Sequence, residues 1–344
     1  MSAASETPAT PWTTTPADRL QSWSWRETFT KEELAALREM QDWRSWVSVL
    51  GNWAVVLGAM ALVAAWPNPL TVLLALFLIG ARQLGLAILM HEASHYSLFS
   101  SKRTNDWVAN WLCAYPVWSD LTAYRKYHMG HHARTWTKDD PDLSLATPFP
   151  VTRESLRRKF WRDLSGQTGW KRVKYTLRRD LGIGQFKMSR TDDSARAFRG
   201  MLASNAVLFA LLAAVGHPAL YLLWVGSFLT TNMLVTRIRA IAEHSMITDP
   251  SDPLQNTRTT LASPLERLFV APNRVNYHLE HHLLMTVPHY KLPEMHRLLR
   301  ARGALDGANV VRGYREVLRR ASSKGRALDA PGDHTSQGHP HPFM

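Results

Sequence analysis

Cysteine is almost missing from this chain. Cys113 stands alone in 344 residues, which excludes an internal disulfide and any cysteine-ligated iron–sulfur cluster held by the chain itself. Acidic residues are also scarce: 28 Asp and Glu face 41 Lys and Arg, a net charge of +13 with an isoelectric point near 10.1. That balance suits nucleic acid or an anionic membrane surface. No nucleic-acid reading motif accompanies it, so no nucleic-acid partner is expected. Residues Met1–Pro16 have neither the basic start nor the apolar core of a secretory leader, and residues 1–18 are expected to be disordered.

Charge is absent altogether from Trp46–Trp66, 21 residues bounded by tryptophan, long enough to span a bilayer. Pro67–Pro69 makes a tight turn into Leu70–Met90, apolar apart from Arg82 and Gln83. Met201–Gly216 and Ala219–Val235 form a second apolar pair around His217 and Pro218, with 16 and 17 residues each. Those lengths are short for a span and require flanking positions. Several of the 14 tryptophans flank these runs, where an interfacial belt belongs.

Lysine and arginine are missing from both hairpin turns. Five precede the first hairpin, 20 lie between the hairpins and 15 follow the second. By the positive-inside rule both termini are expected to be cytoplasmic, and the Ala/Arg-rich composition makes a bacterial inner (cytoplasmic) membrane the expected location. The mean hydropathy of −0.22 fits a chain with more than half its length outside the spans. Arg153–Gly182 reads as a basic amphipathic helix, either lying on the anionic leaflet or presenting a solvated face. Trp107–Trp118 is apolar but too brief to span and is expected to be interfacial or re-entrant.

Histidine, by contrast, is clustered. Nine of 15 fall in four groups: His91 and His95 in HEASH; His128, His131 and His132 in HMGHH; His244; and His278, His281 and His282 in HLEHH. Positions i, i+3 and i+4 share a helix face, so each H-x-x-H-H can direct three imidazoles at one place. A helix continuing from Val235 brings His244 about 13 Å onward, at 1.5 Å per residue, to the depth of His91 and His95. Nine imidazoles exceed what one metal ion takes, whereas two ions sharing eight or nine would have four or five each. Imidazole alone admits zinc, copper, iron or nickel. His217, His289, His296, His334, His339 and His341 are expected to lie outside the site.

HEASH also reads as H-E-x-x-H, the zincin signature, with Glu92 as base. An LDG triplet at Leu305–Gly307 matches a third-ligand motif of membrane metalloproteases, but a protease leaves HMGHH and HLEHH without a role. The expected fold is an all-α integral membrane protein: four transmembrane helices in two hairpins, with a helical cytoplasmic cap holding a histidine-rich di-metal site. Its parts are an arm at 1–45, hairpins at 46–90 and 200–238, cytoplasmic regions at 91–199 and 239–322, and a disordered tail at 323–344.

The combination of H-x-x-x-H with two H-x-x-H-H boxes and two hairpins, over about Trp46–Leu299, resembles the membrane fatty acid desaturase superfamily. In HHARTWTKDDPDL, Asp139, Asp140 and Asp142 follow the second box, as is frequent there. The resemblance implies a non-haem di-iron oxidoreductase that uses dioxygen and two electrons to introduce a double bond into a fatty acyl chain. It implies His91, His95, His128, His131, His132, His278, His281 and His282 as iron ligands, with His244 matching an extra histidine of some members. An N-x-x-x-H form around that residue is absent, since Ala240 stands four before it. The first box has the spacing of acyl-lipid and sphingolipid enzymes. Electrons would come from a separate ferredoxin or cytochrome b5. Glu92, Asp140, Asp142, Glu243, Asn276 and Glu280 are candidates for orienting the rings. The same scaffold supports hydroxylation, carotenoid ketolation and decarboxylation to terminal alkenes.

Overall fold

The computed structural model describes residues 25–183 and 192–325; the arm at 1–18 and nearly all of the tail from 323 lie outside the described residues. Helix dominates, and the strands among the described residues are one short parallel pair, β1 (Thr259–Leu261) and β2 (Val310–Arg312).

A capping box at Thr30 starts α1 (Lys31–Arg38). Next comes α2 (Asp42–Ala65), 24 residues and so about 36 Å long, more than the thickness of a hydrocarbon core. Asn68 then starts α3 (Pro69–Ser94): its side chain accepts from the Leu70 and Thr71 amides at 3.0 and 3.2 Å, and Pro69 occupies the first turn, where no amide partner is needed. The Pro67–Pro69 turn is thus an N-cap. Leu50, Leu57, Leu73, Val207 and Leu211 are exposed on helices long enough to cross a membrane, and lipid is the solvent that suits them. Four helical segments of the described residues meet that length and composition: Lys31–Ala65, Pro69–Ser94, Asp193–Ala214 and Pro218–His244.

Between the hairpins, Lys102–Val108 runs into a π-helical turn (Ala109–Ala114) and a 3-10 turn (Tyr115–Val117). Ala109, Cys113 and Ala114 are fully buried, while Trp107 and Trp111 stay exposed. This segment leads into α4 (Leu121–Arg134), capped by Asp120. The basic stretch expected as one helix is two, α5 (Arg153–Leu164) and α6 (Gln167–Leu181). Gly166 separates them at φ +79°, a backbone region that glycine enters without steric cost. Trp161 and Trp170 point outward.

In the second hairpin, α7 (Asp192–Ala214) leads through a 3-10 turn at Pro218–Leu220 to α8 (Tyr221–Leu229) and α9 (Thr231–His244). The fourth apolar run therefore borrows nine residues beyond Val235 and breaks at Thr230. The break has local causes. The Thr230 hydroxyl donates to the Gly226 carbonyl at 2.6 Å and the Thr231 hydroxyl to Leu76 O at 2.5 Å, in competition with the helix ladder. Asn232 Nδ2 donates to Gly80 O at 3.1 Å, so α9 is tied to α3 where Gly80 permits close approach.

The central helix is α3, packed against α2, α4, α8 and α9. Arg82, on this helix, donates to the Leu268 carbonyl, and Gln83 Nε2 donates to Trp224 O at 2.8 Å. Beyond the spans, α10 (His278–Leu283), α11 (Leu292–Ala301) and α12 (Tyr314–Ala321) close a cap under the ends of α3 and α9. Buried Leu279, Leu292, Met295 and Leu299 form one cluster there, and Tyr314, Val317 and Ala321 pack with Val235 and Ile241 in another.

Candidate metal centre

Both α3 and α9 continue past their apolar runs and end in histidine. His91 lies in the last turn of α3, His95 at its C-cap and His244 at the end of α9. Helix α4 brings His128, His131 and His132, and the one-and-a-half-turn α10 brings His278, His281 and His282. All nine rings meet in one place. They form two groups: His91, His95, His128, His132 and His281 in one, and His131, His244 and His282 in the other, with Glu243 and His278 gathered around His244.

Each H-x-x-H-H box was expected to aim three rings at one point, and each is divided instead. The reason is helical phase. At 100° per residue, i and i+4 differ by about 40°, whereas i+3 stands about 100° from i+4. His128 and His132 therefore join the five-ring group while His131 turns to the other. In α10 the pair His278 and His282 stays together and His281 crosses over.

The ring nitrogens sit at coordination spacing. His132 Nε2 is 3.0 Å from His128 Nε2 and 3.2 Å from His281 Nε2, and His278 Nε2 is 2.8 Å from His244 Nε2. Two ligands about 2.1 Å from a shared ion, at right to tetrahedral angles, are roughly 3.0–3.4 Å apart. The Nε2 atoms of His91, His95, His131 and His282 are buried with no hydrogen-bond partner. Orphaned acceptors in such number are costly unless something binds them. Burial, then the neighbouring rings, holds His128, His132, His278, His281 and His282 well below the ordinary histidine range, leaving neutral imidazoles with a free lone pair. The donor set fits two metal ions.

Carboxylates orient part of the set. His91 Nδ1 donates to Glu92 Oε1 at 3.0 Å, and the same oxygen is 3.8 Å from His281 Nδ1. His131 Nδ1 donates to Asp140 Oδ1 at 2.8 Å and lies 3.5 Å from Asp142 Oδ2. Asp140 is itself fixed by the Trp136 amide at 2.8 Å, and the Tyr127 hydroxyl donates to Asp142. Burial pulls His131 down, but the Asp140 hydrogen bond and the charges of Asp142 and Asp140 outweigh it, so this ring alone of the set is raised. Glu243 Oε2 lies 3.6 Å from His278 Nε2, and its other oxygen accepts from Arg239 at 2.5 Å.

Two candidates serve elsewhere. Glu280 accepts from His296 Nδ1 and from the Thr259 hydroxyl, both at 2.5 Å, because its side chain leaves α10 on the side opposite the rings. Asn276 donates to Thr260 O at 3.0 Å, joining β1 to the chain ahead of α10. Asp139 is exposed. His296, expected to be ordinary, is held through Nδ1 by Glu280, and His289 pairs with Ser48 at 2.8 Å. Asp306 of the LDG triplet joins neither ligand group among the described residues, and Glu92 is turned to His91 and Ser97. No three-ligand zincin arrangement results.

Some contributors had weak or no signals in the sequence. Arg239 stands four before Glu243, a readable helix pair. Arg258 did not stand out: from outside α9 it donates to the carbonyls of Ala242 and Ser245 at 3.0 and 2.6 Å, holding the end that carries His244. Beside the rings lies a narrow cavity of about 90 Å³. His91, His244, Glu243 and Tyr124 line it together with Leu84, Ile88, Met90 and Phe228.

Residues 67–314 match the sequence profile of a family described as Fatty acid desaturase. The chain is also similar to dihydrorhizobitoxine desaturase of Bradyrhizobium elkanii, 29% identical over 250 residues that cover 69% of this chain and 68% of that protein.

Proposed function

The chain belongs to the fatty acid desaturase family, and from that premise we propose that it is a membrane di-iron oxidoreductase that inserts a double bond into the alkyl chain of a lipid-class substrate. The observation that carries this reading is the division of nine buried or half-buried imidazoles into two adjoining groups beside a largely apolar cavity. The overall change is R–CH2–CH2–R′ + O2 + 2 e− + 2 H+ → R–CH=CH–R′ + 2 H2O. Two irons held by His91, His95, His128, His132 and His281 on one side and His131, His244, His278 and His282 on the other would supply the dioxygen chemistry.

The protein's own part is placement. Leu84, Ile88, Met90 and Phe228 present an alkyl chain beside His91 and His244 and exclude water. Glu92 and Asp140 hold two rings in the tautomer that points Nε2 inward. Electrons come from a separate ferredoxin or cytochrome b5, docked on the basic face that bears both termini, at the cytoplasmic side of an inner membrane. Charge steering of that kind weakens with salt.

The test is mass spectrometry of lipids from cells that express the chain with iron and a compatible electron donor, beside His131→Ala. New double bonds that vanish in the variant, in protein with two irons per chain, support the reading. Purified protein holding zinc and no iron would overturn it.

A further inference from the structure

The cavity beside the rings contains a cation without a counter-charge. Arg172 on α6 lines it and is only 9% exposed, yet no hydrogen bond or ion pair reaches it from the described residues, and its Nε is buried without a partner. Its guanidinium lies 5.2 Å from the Phe228 ring centroid, a contact that fixes its direction and leaves its charge unmet. The other buried arginines of the described residues are engaged, Arg82 with Leu268 O and Arg258 with four backbone carbonyls, and the half-buried Arg239 pairs with Glu243. Burial, with Arg179 adding to it, lowers the Arg172 pKa to about 10, so it stays protonated at neutral pH.

Two further residues lining this cavity keep an orphaned polar atom. Gln83 commits its amide nitrogen to Trp224 O at 2.8 Å, which leaves Oε1 as a buried acceptor with no donor. The Ser119 hydroxyl is likewise buried and unpartnered. A plain alkyl chain would leave all three bare. A planar carboxylate matches a guanidinium fork and takes a hydroxyl hydrogen bond besides.

We propose that Arg172 and Ser119 form the receptor for a free carboxylate on the substrate, and that the same molecule carries an N–H or O–H donor for Gln83 Oε1. The substrate class is an amino acid or hydroxy acid with an aliphatic arm, the arm running past Leu84 and Ile88 toward His91 and His244. Esters and thioesters lack the free carboxylate. This inference rests on the desaturase reading of the metal centre and narrows its substrate.

The experiment uses the purified, iron-containing protein without oxygen, so that binding is read apart from turnover. Calorimetric affinity and the shift in thermal midpoint are measured for 2-aminooctanoate, octanoate and methyl octanoate. The expected order is 2-aminooctanoate tightest, octanoate weaker, methyl octanoate without effect. Arg172→Met should weaken both acids about tenfold or more, as loss of a charge-assisted pair does, and Arg172→Lys should recover part. The empty Arg172→Met protein should melt no lower than wild type, since an unpaired buried charge is removed. Methyl octanoate binding as well as octanoate, acids that do not bind wild type, or acid affinity unchanged in Arg172→Met would each overturn the proposal. A lower melting point of the empty variant with unchanged acid affinity would make Arg172 structural. Acid-selective binding by iron-loaded protein that forms no double bond when reduced and given oxygen would sink the desaturase reading and leave Arg172 standing. Desaturation of esterified lipid alone would do the reverse.

Discussion

His281 and His282 are adjacent, yet their rings belong to different groups, because consecutive helical positions differ by 100°. Substituting each in turn should remove different metal ions. His281→Ala and His282→Ala are each expected to bring iron from two per chain toward one, with distinct Mössbauer spectra of the remaining ion. Identical spectra would show that the groups are not separate sites. Asp140 is the clearest support, since it accepts from His131 and is pinned by the Trp136 amide. Asp140→Asn should weaken metal retention by about 10- to 100-fold, measurable as faster iron loss to a chelator. Glu280→Gln should leave retention near wild type, because Glu280 serves His296 and Thr259.

Between elements, the contact that sets the height of His244 is the seam of α3 and α9. A Cβ at Gly80 would overlap the Thr231 hydroxyl and lie 2.8 Å from the Asn232 amide nitrogen and 3.0 Å from the Thr231 carbonyl carbon, the last two being backbone atoms unable to give way. Gly80→Ala should therefore cost about 1–3 kcal/mol as overpacking does, read as a lower thermal midpoint in detergent. It should also lower iron content, because α9 carries His244 and Glu243. Gly58→Ala, with nothing within 4 Å of the added carbon, is the control and should melt no lower than wild type. Arg258 works at the same level: Arg258→Met strips donors from buried carbonyls at the end of α9, each worth roughly 1–3 kcal/mol when left unmet. Destabilisation of at least about 2 kcal/mol is expected, again by thermal midpoint.

For the whole molecule, two hairpins put the ends of all four spans that carry basic residues on one side. Cys113 is buried, so a Cys113→Ser background can carry single reporters. Glu32→Cys and Ser322→Cys should react with an impermeant maleimide only in inside-out vesicles, and Asn68→Cys only in right-side-out ones. Reaction of Glu32→Cys and Ser322→Cys from opposite faces would break the two-hairpin topology. Turnover with a reduced acidic carrier should slow as salt rises, reported as a falling kcat/KM for the carrier.

The sequence by itself determined the class of the fold and the identity of the rings. Long apolar runs, such as the 21 uncharged residues of Trp46–Trp66, can satisfy their backbones in lipid only as helices, and the histidine boxes are written at helical spacing. His244 was also legible, because a helix leaving the membrane carries a residue forward by a fixed rise. The carboxylates were legible only as a set: Glu92 and Asp140 reach rings of the site, whereas Glu280, inside the box between His278 and His281, turns away to His296. Proximity along the chain does not fix which side of a helix a side chain leaves from relative to a partner on another element. Tertiary structure alone decided the break at Thr230, the division of the rings into two groups and the isolation of Arg172. Each depends on contacts between residues remote in sequence, Thr231 with Leu76, His132 with His281, Arg172 with Phe228, and a single chain of letters does not record which distant surfaces meet.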